Sequence, residues 1–305
     1  MVSHIYIAAS GRDSRFARIC AASVRTFYPD LPVFLLPGGR LEPSLVRELR
    51  AHWNVQIAGI PEGDYGWGFV KLEPLFGPPG GSFLMLDADT VMTGPVCDAI
   101  DARLCVADAP EFLVDEEDQS DSEMRRLYYD WDRVRVIDPE ANRPTFVFNS
   151  GQWVGTPGTL SRDEFTSWVE WTMPPKLRYA DVFMPGDQGI LNYLLNQGHA
   201  AARFRVDRLP LMRWPGHGME GLSAGEVRSG QAPALIVHWA GMKRLRFSAM
   251  IGADLLNYYE KLYYTRIPGC VWLRHTRAIA SVLTELKHRA RVRIRLYWNA
   301  KILRR

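Results

Sequence analysis

The sequence alternates short apolar runs with segments of helical periodicity, and this alternation limits the fold more than any other feature. Five runs rich in Ile, Val and Phe have the length of buried strands: 4–9, 32–36, 83–86, 145–148 and 234–237. Helical spacing of apolar residues is found between them, at 14–27, 43–52, 161–172 and 187–197. Strands that alternate with helices predict an α/β fold with a mainly parallel central sheet.

The composition is that of a folded protein with a large core. The chain has 305 residues, of which 47% are hydrophobic, enough for one large domain or two small ones. The four cysteines form no C-x-x-C pair, so we expect neither a disulfide framework nor a structural zinc site, and a reducing compartment fits. The start, MVSHIYIAAS, lacks the basic region of a signal peptide, and no apolar stretch of about 18 residues is present. We therefore expect a cytoplasmic protein.

Polar or small residues follow several of the predicted strands. Asp87-Ala88-Asp89 follows 83–86, Asn149-Ser150 follows 145–148, and His238 follows 234–237. In open α/β sheets, ligands bind beyond the carboxyl ends of the strands. If the sheet is parallel, these side chains meet at one edge of it.

Two carboxylates and an imidazole are ligands that suit a divalent cation. Carboxylates favour Mg²⁺ or Mn²⁺, and a histidine nitrogen shifts the preference toward Mn²⁺. A lone D-x-D is weak support, since Asp130-Trp131-Asp132 is another, and a lone histidine is more often structural. Asp87, Asp89 and His238 together predict a metal site.

Two further segments carry candidate residues. In GDQGILN (186–192), Asp187 and Gln188 stand at the head of an apolar helix; helix capping explains the acid but not the whole string. The acidic stretch 108–123 is interpreted as a solvated loop, with a lid over the site as the alternative.

Six short segments of the sequence, some of them described above, together resemble the family 8 glycosyltransferases. That family includes glycogenin and the bacterial lipooligosaccharide galactosyltransferases. In chain order the six segments are FVKLEPL (69–75), FLMLDADTVM (83–92), VADA (106–109), FNSG (148–151), GDQGILN (186–192) and IVHWAG (236–241). The resemblance implies a GT-A fold, that is, a Rossmann-like, mainly parallel sheet flanked by helices, over residues 1–265. A basic, aromatic helical tail would follow at 266–305.

The resemblance also assigns roles to individual residues. The metal, Mn²⁺ or Mg²⁺, would be bound by Asp87, Asp89 and His238. Asp187 and Gln188 would lie near the anomeric carbon as the catalytic pair. The donor, a nucleotide-diphosphate sugar, would be contacted by Ala8, Ala9, Ser10, Arg12, Lys71, Asp87, Ala88, Asp108, Asn149, Ser150 and Gly241, and by Lys243 or Arg244.

The sequence departs from the family pattern in three places. The first strand is followed by Ser10-Gly11-Arg12-Asp13 instead of Asp and an aromatic residue, which leaves the nucleobase open. After Gly241 the family continues x-x-Lys-Pro-Trp, so either Lys243 or Arg244 takes the diphosphate-binding position. The segment 209–218 lacks the family's Asn; Trp214 or His217 could replace it or serve the structure.

The expected activity is metal-dependent transfer, with retention, of a hexose from UDP-glucose or UDP-galactose to a glycan or a lipid-linked saccharide. The sequence leaves two mechanisms of retention open. One forms a covalent intermediate on Asp187, and the other is an attack on the same face of the sugar, in which Gln188 only stabilises the developing charge. A sugar-nucleotide nucleotidyltransferase is an alternative, but it would need a Gly-rich basic loop after the first strand, and SGRDSR (10–15) matches that poorly. A non-catalytic sugar-nucleotide-binding module is the third interpretation.

The C-terminal tail carries an uneven share of the charge. Residues 274–305 hold eight Arg, two Lys and one Glu, a net +9, so the rest of the chain sums to −6. This asymmetry suggests a polyanionic partner. A solvated helix on the body is one interpretation, and a strand in RVRIRLYW (291–298) is another. An anchor on the inner, anionic face of the membrane is favoured by the basic, aromatic tails of related bacterial enzymes. No nucleic-acid motif accompanies the basic run.

Overall fold

The coordinates are a computed structural model of the whole chain. The structure describes residues 1–115, 117, 120–242, 247–270, 272–280, 282, 283, 286, 290, 291 and 293. Within these residues the strands are β1 (His4–Ala9), β2 (Val33–Pro37), β3 (Val55–Ile57), β4 (Phe83–Asp87), β5 (Thr90–Met92), β6 (Phe112–Val114), β7 (Gln152–Gly155), β8 (Val169–Glu170), β9 (Lys176–Leu177), β10 (Val206–Arg208), β11 (Met212–Arg213) and β12 (Ile236–His238).

Helices lie between these strands. The α-helices are α1 (Ser14–Phe27), α2 (Pro43–Trp53), α3 (Val96–Leu104), α4 (Asp121–Leu127), α5 (Trp131–Ile137), α6 (Arg162–Thr166), α7 (Asp187–Ala200), α8 (Ala224–Ser229) and α9 (Ala253–Thr265). Short 3₁₀ helices are formed by Gly11–Asp13, Phe69–Phe76 and Phe247–Ala249. No helix among the described residues is both long enough and apolar enough to cross a membrane.

The main sheet is mostly parallel, as the sequence predicts. Its strand order is β10-β6-β7-β4-β1-β2-β3, and only β7 runs against its two neighbours. Because β1 and β4 are parallel neighbours, Ala8 pairs with Asp87. The carboxyl ends of these two strands therefore lie side by side, as the α/β interpretation requires.

A second, smaller sheet joins the main one at its carboxyl edge. Its order is β11-β12-β5, and β5 begins directly after β4 and the link Ala88-Asp89. Since β12 is antiparallel to β5, its last residue, His238, pairs with Thr90 at the start of β5. The link between the two sheets is therefore the segment that carries the predicted metal ligands.

The burial of both faces of the main sheet explains why its strands are continuous apolar runs in the sequence. Leu84 and Leu86 of β4 pack into one buried cluster with α1 and α9, while Phe83 and Met85 pack into another on the opposite face. A strand covered on both faces buries every side chain, each worth about 1.5–3 kcal/mol when fully buried. The predicted α/β fold with a mainly parallel sheet is confirmed.

Residues 145–148 are not the strand that the sequence predicts. Phe146, Val147 and Phe148 are buried, but they form no strand, and the backbone of Phe146 and Phe148 bonds to side chains of α7. Asn192 exchanges hydrogen bonds with both backbone groups of Phe148 (2.9 Å each), and Asn196 bonds Phe146 in the same way. Two asparagines one helical turn apart thus satisfy polar backbone groups that burial would otherwise leave unpaired.

The helix predicted at 161–172 is shorter than expected. Ser161 and Glu164 form a capping box at its start, but α6 ends at Thr166 and the chain turns into the hairpin of β8 and β9. Met173-Pro174-Pro175 lies in the turn between β8 and β9. A residue before proline is disfavoured in a helix, so the proline pair suits this turn and keeps a helix from continuing through it.

The first part of the tail packs on the body as a helix. Residues 272–280 are helical, as are the described residues 290, 291 and 293, while most of 291–298 lies outside the described residues. Arg277 donates to Glu48 (2.9 Å) and Arg274 to Glu260 (3.4 Å). Burial alone would raise the pKa of Glu48, but its ion pairs with Arg277 and Arg18 hold that pKa below its usual range.

Candidate active site

The structure brings Asp87, Asp89 and His238 together where the two sheets meet. His238 Nε2 lies 3.5 Å from Asp89 Oδ1 and 3.8 Å from Asp87 Oδ2. One nitrogen or oxygen from each of the three side chains lies within 4.8 Å of the others. That spacing suits three ligands around a single cation.

The chemistry of the three residues fits a divalent cation. Asp89 and His238 are almost fully buried, and neither ring nitrogen of His238 has a hydrogen-bond partner among the described residues. A buried polar atom without a partner is costly, so such atoms in a native site call for a ligand. Two carboxylates and an imidazole are ligands that Mn²⁺ accepts.

The ring of His238 is confined by Trp214 and by Gly151. It stacks on Trp214 with the ring centres 5.3 Å apart, and Trp214 Nε1 donates to Glu117 (3.1 Å). Burial raises the pKa of the Glu117 carboxyl. At the Cε1 edge of the ring, a Cβ at Gly151 would lie 2.1 Å from His238 Cε1. Trp214 therefore positions the ring, and only glycine fits beside it at 151.

A buried lysine connects the metal cluster to Asp187. Lys71 lies on the 3₁₀ helix Phe69–Phe76. Its Nζ lies 3.4 Å from Asp87 Oδ1 and 3.1 Å from Asp187 Oδ2. The same Nζ donates a hydrogen bond to Ser150 Oγ (2.9 Å). Burial alone would lower the pKa of Lys71, but the charges of Asp187 and Asp87 outweigh burial and raise it. Burial raises the pKa of Asp187, and Lys71 opposes that effect.

Asp187 begins α7 and points to Lys71, which capping does not explain. Its side chain passes very close to the backbone of Gly68, where a Cβ would lie 1.9 Å from Asp187 Oδ1. Gly68 also has φ +85°, a backbone conformation that favours glycine. Gly68 is therefore needed for Asp187 to reach Lys71.

Gln188 holds the turn that follows residues 145–148. Its Oε1 accepts from Asn149 Nδ2 and from the Ser150 N–H (3.1 Å each), and its Nε2 donates to the Leu127 carbonyl (3.0 Å). The Asp87 N–H in turn donates to the Gly151 carbonyl (2.7 Å). The amide of Gln188 thus positions Asn149 and Ser150 beside the end of β4.

The residues predicted at the nucleotide end lie along the end of β1. The Ala8 carbonyl accepts from the Ala88 N–H (3.0 Å), and the Ala9 carbonyl accepts from a loop after β2. The Ser10 N–H and Oγ both donate to Asp13 Oδ2 (2.8 Å each). Arg12 is exposed.

The loop after His238 is described only at its start. Gly241 is exposed, with φ +74°. Lys243 and Arg244 lie outside the described residues, so both predictions for the diphosphate contact stand. His217 is exposed, whereas Trp214 contacts His238, which favours a structural role for Trp214.

Asp108 does not lie with the other predicted residues. It precedes β6 and is exposed, and its carbonyl accepts from Arg205 (2.7 Å). Because β6 runs parallel to β4, the start of β6 is at the opposite edge of the sheet from Asp87. Asp115, directly after β6, lies at the carboxyl edge, where it accepts from the Met212 N–H (2.5 Å). We therefore replace Asp108 with Asp115 as the acid that β6 brings to this edge.

Solved structures that resemble this chain include glycosyltransferases. No model of a protein family matches the sequence, and no curated protein matches it. The galactosyltransferase LgtC, in complex with donor and acceptor sugar analogs, matches at TM-score 0.55 and 17% identity, over 87% of this chain and 96% of LgtC. The fold is the GT-A glycosyltransferase fold.

Two other glycosyltransferases match over a similar share of this chain. The bifunctional WbbM matches at TM-score 0.53 and 15% identity over 87% of this chain. GlyE of Streptococcus pneumoniae TIGR4 matches at TM-score 0.53 and 16% identity over 84% of this chain. The match spans 51% of WbbM and 60% of GlyE, so those proteins extend well beyond the GT-A fold described here.

Sequence reasoning missed several residues that shape this GT-A site. Gly151 belongs to the string FNSG, but the string alone gives this glycine no role. Nothing in the sequence around Gly68 indicates how close its backbone comes to Asp187. Glu117 lies in the acidic stretch interpreted as a solvated loop. The signal for Asp115 was available, since this acid directly follows the apolar run Phe112–Val114.

Proposed function

We propose that this chain is a metal-dependent, retaining glycosyltransferase that moves a hexose from a nucleotide-diphosphate sugar, UDP-glucose or UDP-galactose, to a glycan or lipid-linked saccharide. The observation that carries the proposal is the continuous set of contacts from His238 through Asp87 and Lys71 to Asp187. It joins a cluster fit for a cation to a buried acid. The GT-A fold supports the same conclusion.

The residues divide the chemistry of such a reaction between them. A Mn²⁺ or Mg²⁺ held by Asp87, Asp89 and His238 would supply positive charge for the departing diphosphate. Lys71 orients Asp187 and favours its ionised form in a buried site, where charges act more strongly than in water. The carboxylate of Asp187 can then face the positive charge that develops at the sugar.

Asp187 and Gln188 differ in what their side chains are free to do. The oxygen of Gln188 already accepts two hydrogen bonds, which supports a positioning role toward Asn149 and Ser150. We propose Asp187 as the acid nearest the reacting carbon, either as the nucleophile of a covalent intermediate or as an electrostatic partner in same-face attack.

Replacing Asp187 tests this assignment. We expect Asp187→Asn to lower the rate of transfer by about 10²- to 10³-fold, because the change removes the charge and keeps the shape. Gln188→Ala should lower it less. Asp181→Asn, an exposed acid six residues earlier (73% exposed), is the matched control. Near-wild-type rates in both Asp187→Asn and Gln188→Ala would remove the two residues from the mechanism.

A donor screen separates the proposal from its alternatives. The protein is mixed with Mn²⁺ and either UDP-, GDP- and ADP-sugars or a nucleoside triphosphate with a sugar 1-phosphate. Release of nucleoside diphosphate, release of pyrophosphate and thermal stability are measured. A glycosyltransferase hydrolyses or transfers from one donor. A nucleotidyltransferase instead releases pyrophosphate from a nucleoside triphosphate and a sugar phosphate, and a binding module is stabilised without turnover.

For the tail, we propose that 266–305 is a segment separate from the catalytic domain 1–265 and that it contacts an anionic membrane. Four large apolar side chains of its described part are exposed, and their spacing places them on one helical face: Trp272, Ile279, Leu283 and Leu286. Arg291 and Arg293 are also exposed. An apolar face with basic neighbours is typical of helices that lie in a membrane interface.

Charge reversal in the tail tests the membrane contact. We expect Arg291→Glu with Arg293→Glu to weaken sedimentation with phosphatidylglycerol vesicles by roughly tenfold or more, since each basic residue near such a surface contributes about 1 kcal/mol. Arg103→Glu with Arg135→Glu, exposed arginines of α3 and α5, makes the same change of net charge elsewhere. Equal loss of binding in both variants would contradict a contact through the tail.

A further inference from the structure

The loop at residues 61–68 is held firmly at the edge of the site. Tyr65 is buried, its hydroxyl donates to the Pro61 carbonyl (2.9 Å), and its N–H donates to the Gly38 carbonyl after β2 (3.1 Å). Asp64 Oδ1 accepts from the Gly66 N–H (2.9 Å). The next side chain, at 67, is therefore presented from an anchored loop.

Trp67 is exposed at the head of α7. Its side chain is 75% exposed, and it stands between Gly66 (φ +61°) and Gly68 (φ +85°). A Cβ at Gly186 would lie 2.6 Å from the Trp67 carbonyl oxygen and 3.5 Å from its Cγ. The indole thus lies against the residue that precedes Asp187.

Two apolar side chains on neighbouring segments are exposed as well. Met184, two residues before Gly186, and Met173 both remain in contact with solvent. Met173 reaches the loop, where a Cβ at Gly63 would lie 2.7 Å from its sulfur. Single exposed hydrophobic residues need no explanation, but exposed apolar side chains on several segments next to a charged site are typical of a binding surface.

The order of contacts places Trp67 at one end of the site. From the metal cluster, contacts lead through Asp87 and Lys71 to Asp187, and Gly68 and Trp67 follow. If the diphosphate is bound at the metal cluster and the donor sugar extends toward Asp187, Trp67 lies beyond the reacting carbon. The nucleoside would extend the other way, toward the end of β1.

We propose that Trp67 is a stacking platform for the pyranose ring of the acceptor saccharide. A pyranose presents a face of C–H groups that packs on an aromatic ring, while its hydroxyls stay free for polar partners at the rim. The loop fixes the backbone that carries the indole before binding, so less conformational entropy of the chain is lost on binding. This proposal rests on the proposed transferase activity.

Fluorine NMR tests the platform without turnover. The protein, which has ten tryptophans, is labelled with 5-fluorotryptophan, and the Trp67 and Trp272 signals are assigned from Trp67→Phe and Trp272→Phe. Trp272 is equally exposed, at 75%, and serves as the control. We expect lactose or maltose to shift the Trp67 signal alone. A shift produced by UDP with Mg²⁺, or no shift with either disaccharide, would overturn the proposal.

Kinetics separate a failure of this platform from a failure of the proposed function. Trp67→Ala should raise KM for the disaccharide acceptor roughly tenfold or more, by analogy with the loss of an aromatic stacking partner. Donor hydrolysis should stay within about twofold, and Trp67→Phe should restore much of the affinity. An unchanged acceptor KM with transfer intact would refute the platform and leave the transferase standing. If the wild type neither hydrolyses nor transfers, the proposed function itself fails.

Discussion

Asp89→Asn is expected to lower transfer by about 10²- to 10³-fold and to remove the response of the protein to Mn²⁺. Asp89 is 2% exposed and faces His238, so an isosteric amide keeps the packing while it removes a charged ligand. The measurements are transfer rate against Mn²⁺ concentration and calorimetric titration of Mn²⁺ in the presence of UDP. The second measurement reports metal binding independently of turnover.

The chain contains a natural control for this experiment. Asp130-Trp131-Asp132 repeats the D-x-D pattern on the surface, where Asp130 caps α5 through the Arg133 N–H and the Asp132 side chain is 78% exposed. Asp132→Asn should therefore leave both measurements unchanged. If Asp89→Asn keeps the Mn²⁺ response of the wild type, the metal site lies elsewhere.

Gly151→Ala should disable the same site by displacing His238. The new Cβ would lie 2.1 Å from His238 Cε1. Neither group has room to move away, because the Gly151 N–H and carbonyl are bonded to Asn149 and Asp87 (2.8 and 2.7 Å) and His238 stacks on Trp214. We expect a loss of activity of about 10²-fold from displacement of the ligand, together with about 1–3 kcal/mol of lost stability from overpacking.

The measurements for Gly151→Ala are the midpoint of chemical unfolding and the affinity for Mn²⁺ with UDP. Gly59→Ala is the matched control, because a Cβ there meets no atom within 4 Å. A Gly151→Ala protein with wild-type stability and metal affinity would mean that His238 does not occupy the position described here.

Local patterns predicted the elements whose apolar spacing is regular. The run at 4–9 and the helix at 14–27 match β1 and α1 residue for residue, because a fully buried strand and an amphipathic helix each leave a periodic pattern. At 145–148 the apolar pattern predicted the burial of 146–148 correctly, but it predicted hydrogen bonds to a neighbouring strand instead of to side chains of α7. Nothing in that string indicates that two asparagines 44 and 50 residues later would bond its backbone.

Asp108 shows where prediction of the site from the sequence fails. Its string matched a family motif, but a residue's edge of the sheet depends on strand direction, and the direction of β6 follows from its pairing with β7. Pairing between strands distant in sequence cannot be read from either strand alone. Only the tertiary structure therefore placed Asp115, and not Asp108, at the carboxyl edge.

By itself, the sequence determined the α/β class, the strand that ends in Asp87 and the presence of candidate ligands at strand ends. Those features are local: a run of buried side chains and the residues directly after it. The tertiary structure decided that His238 reaches Asp89 across a second sheet, that Lys71 joins Asp87 to Asp187, and that Gly68 and Gly151 make room for both acid and imidazole. These are contacts between segments up to about 150 residues apart, and their geometry depends on packing that no single segment encodes.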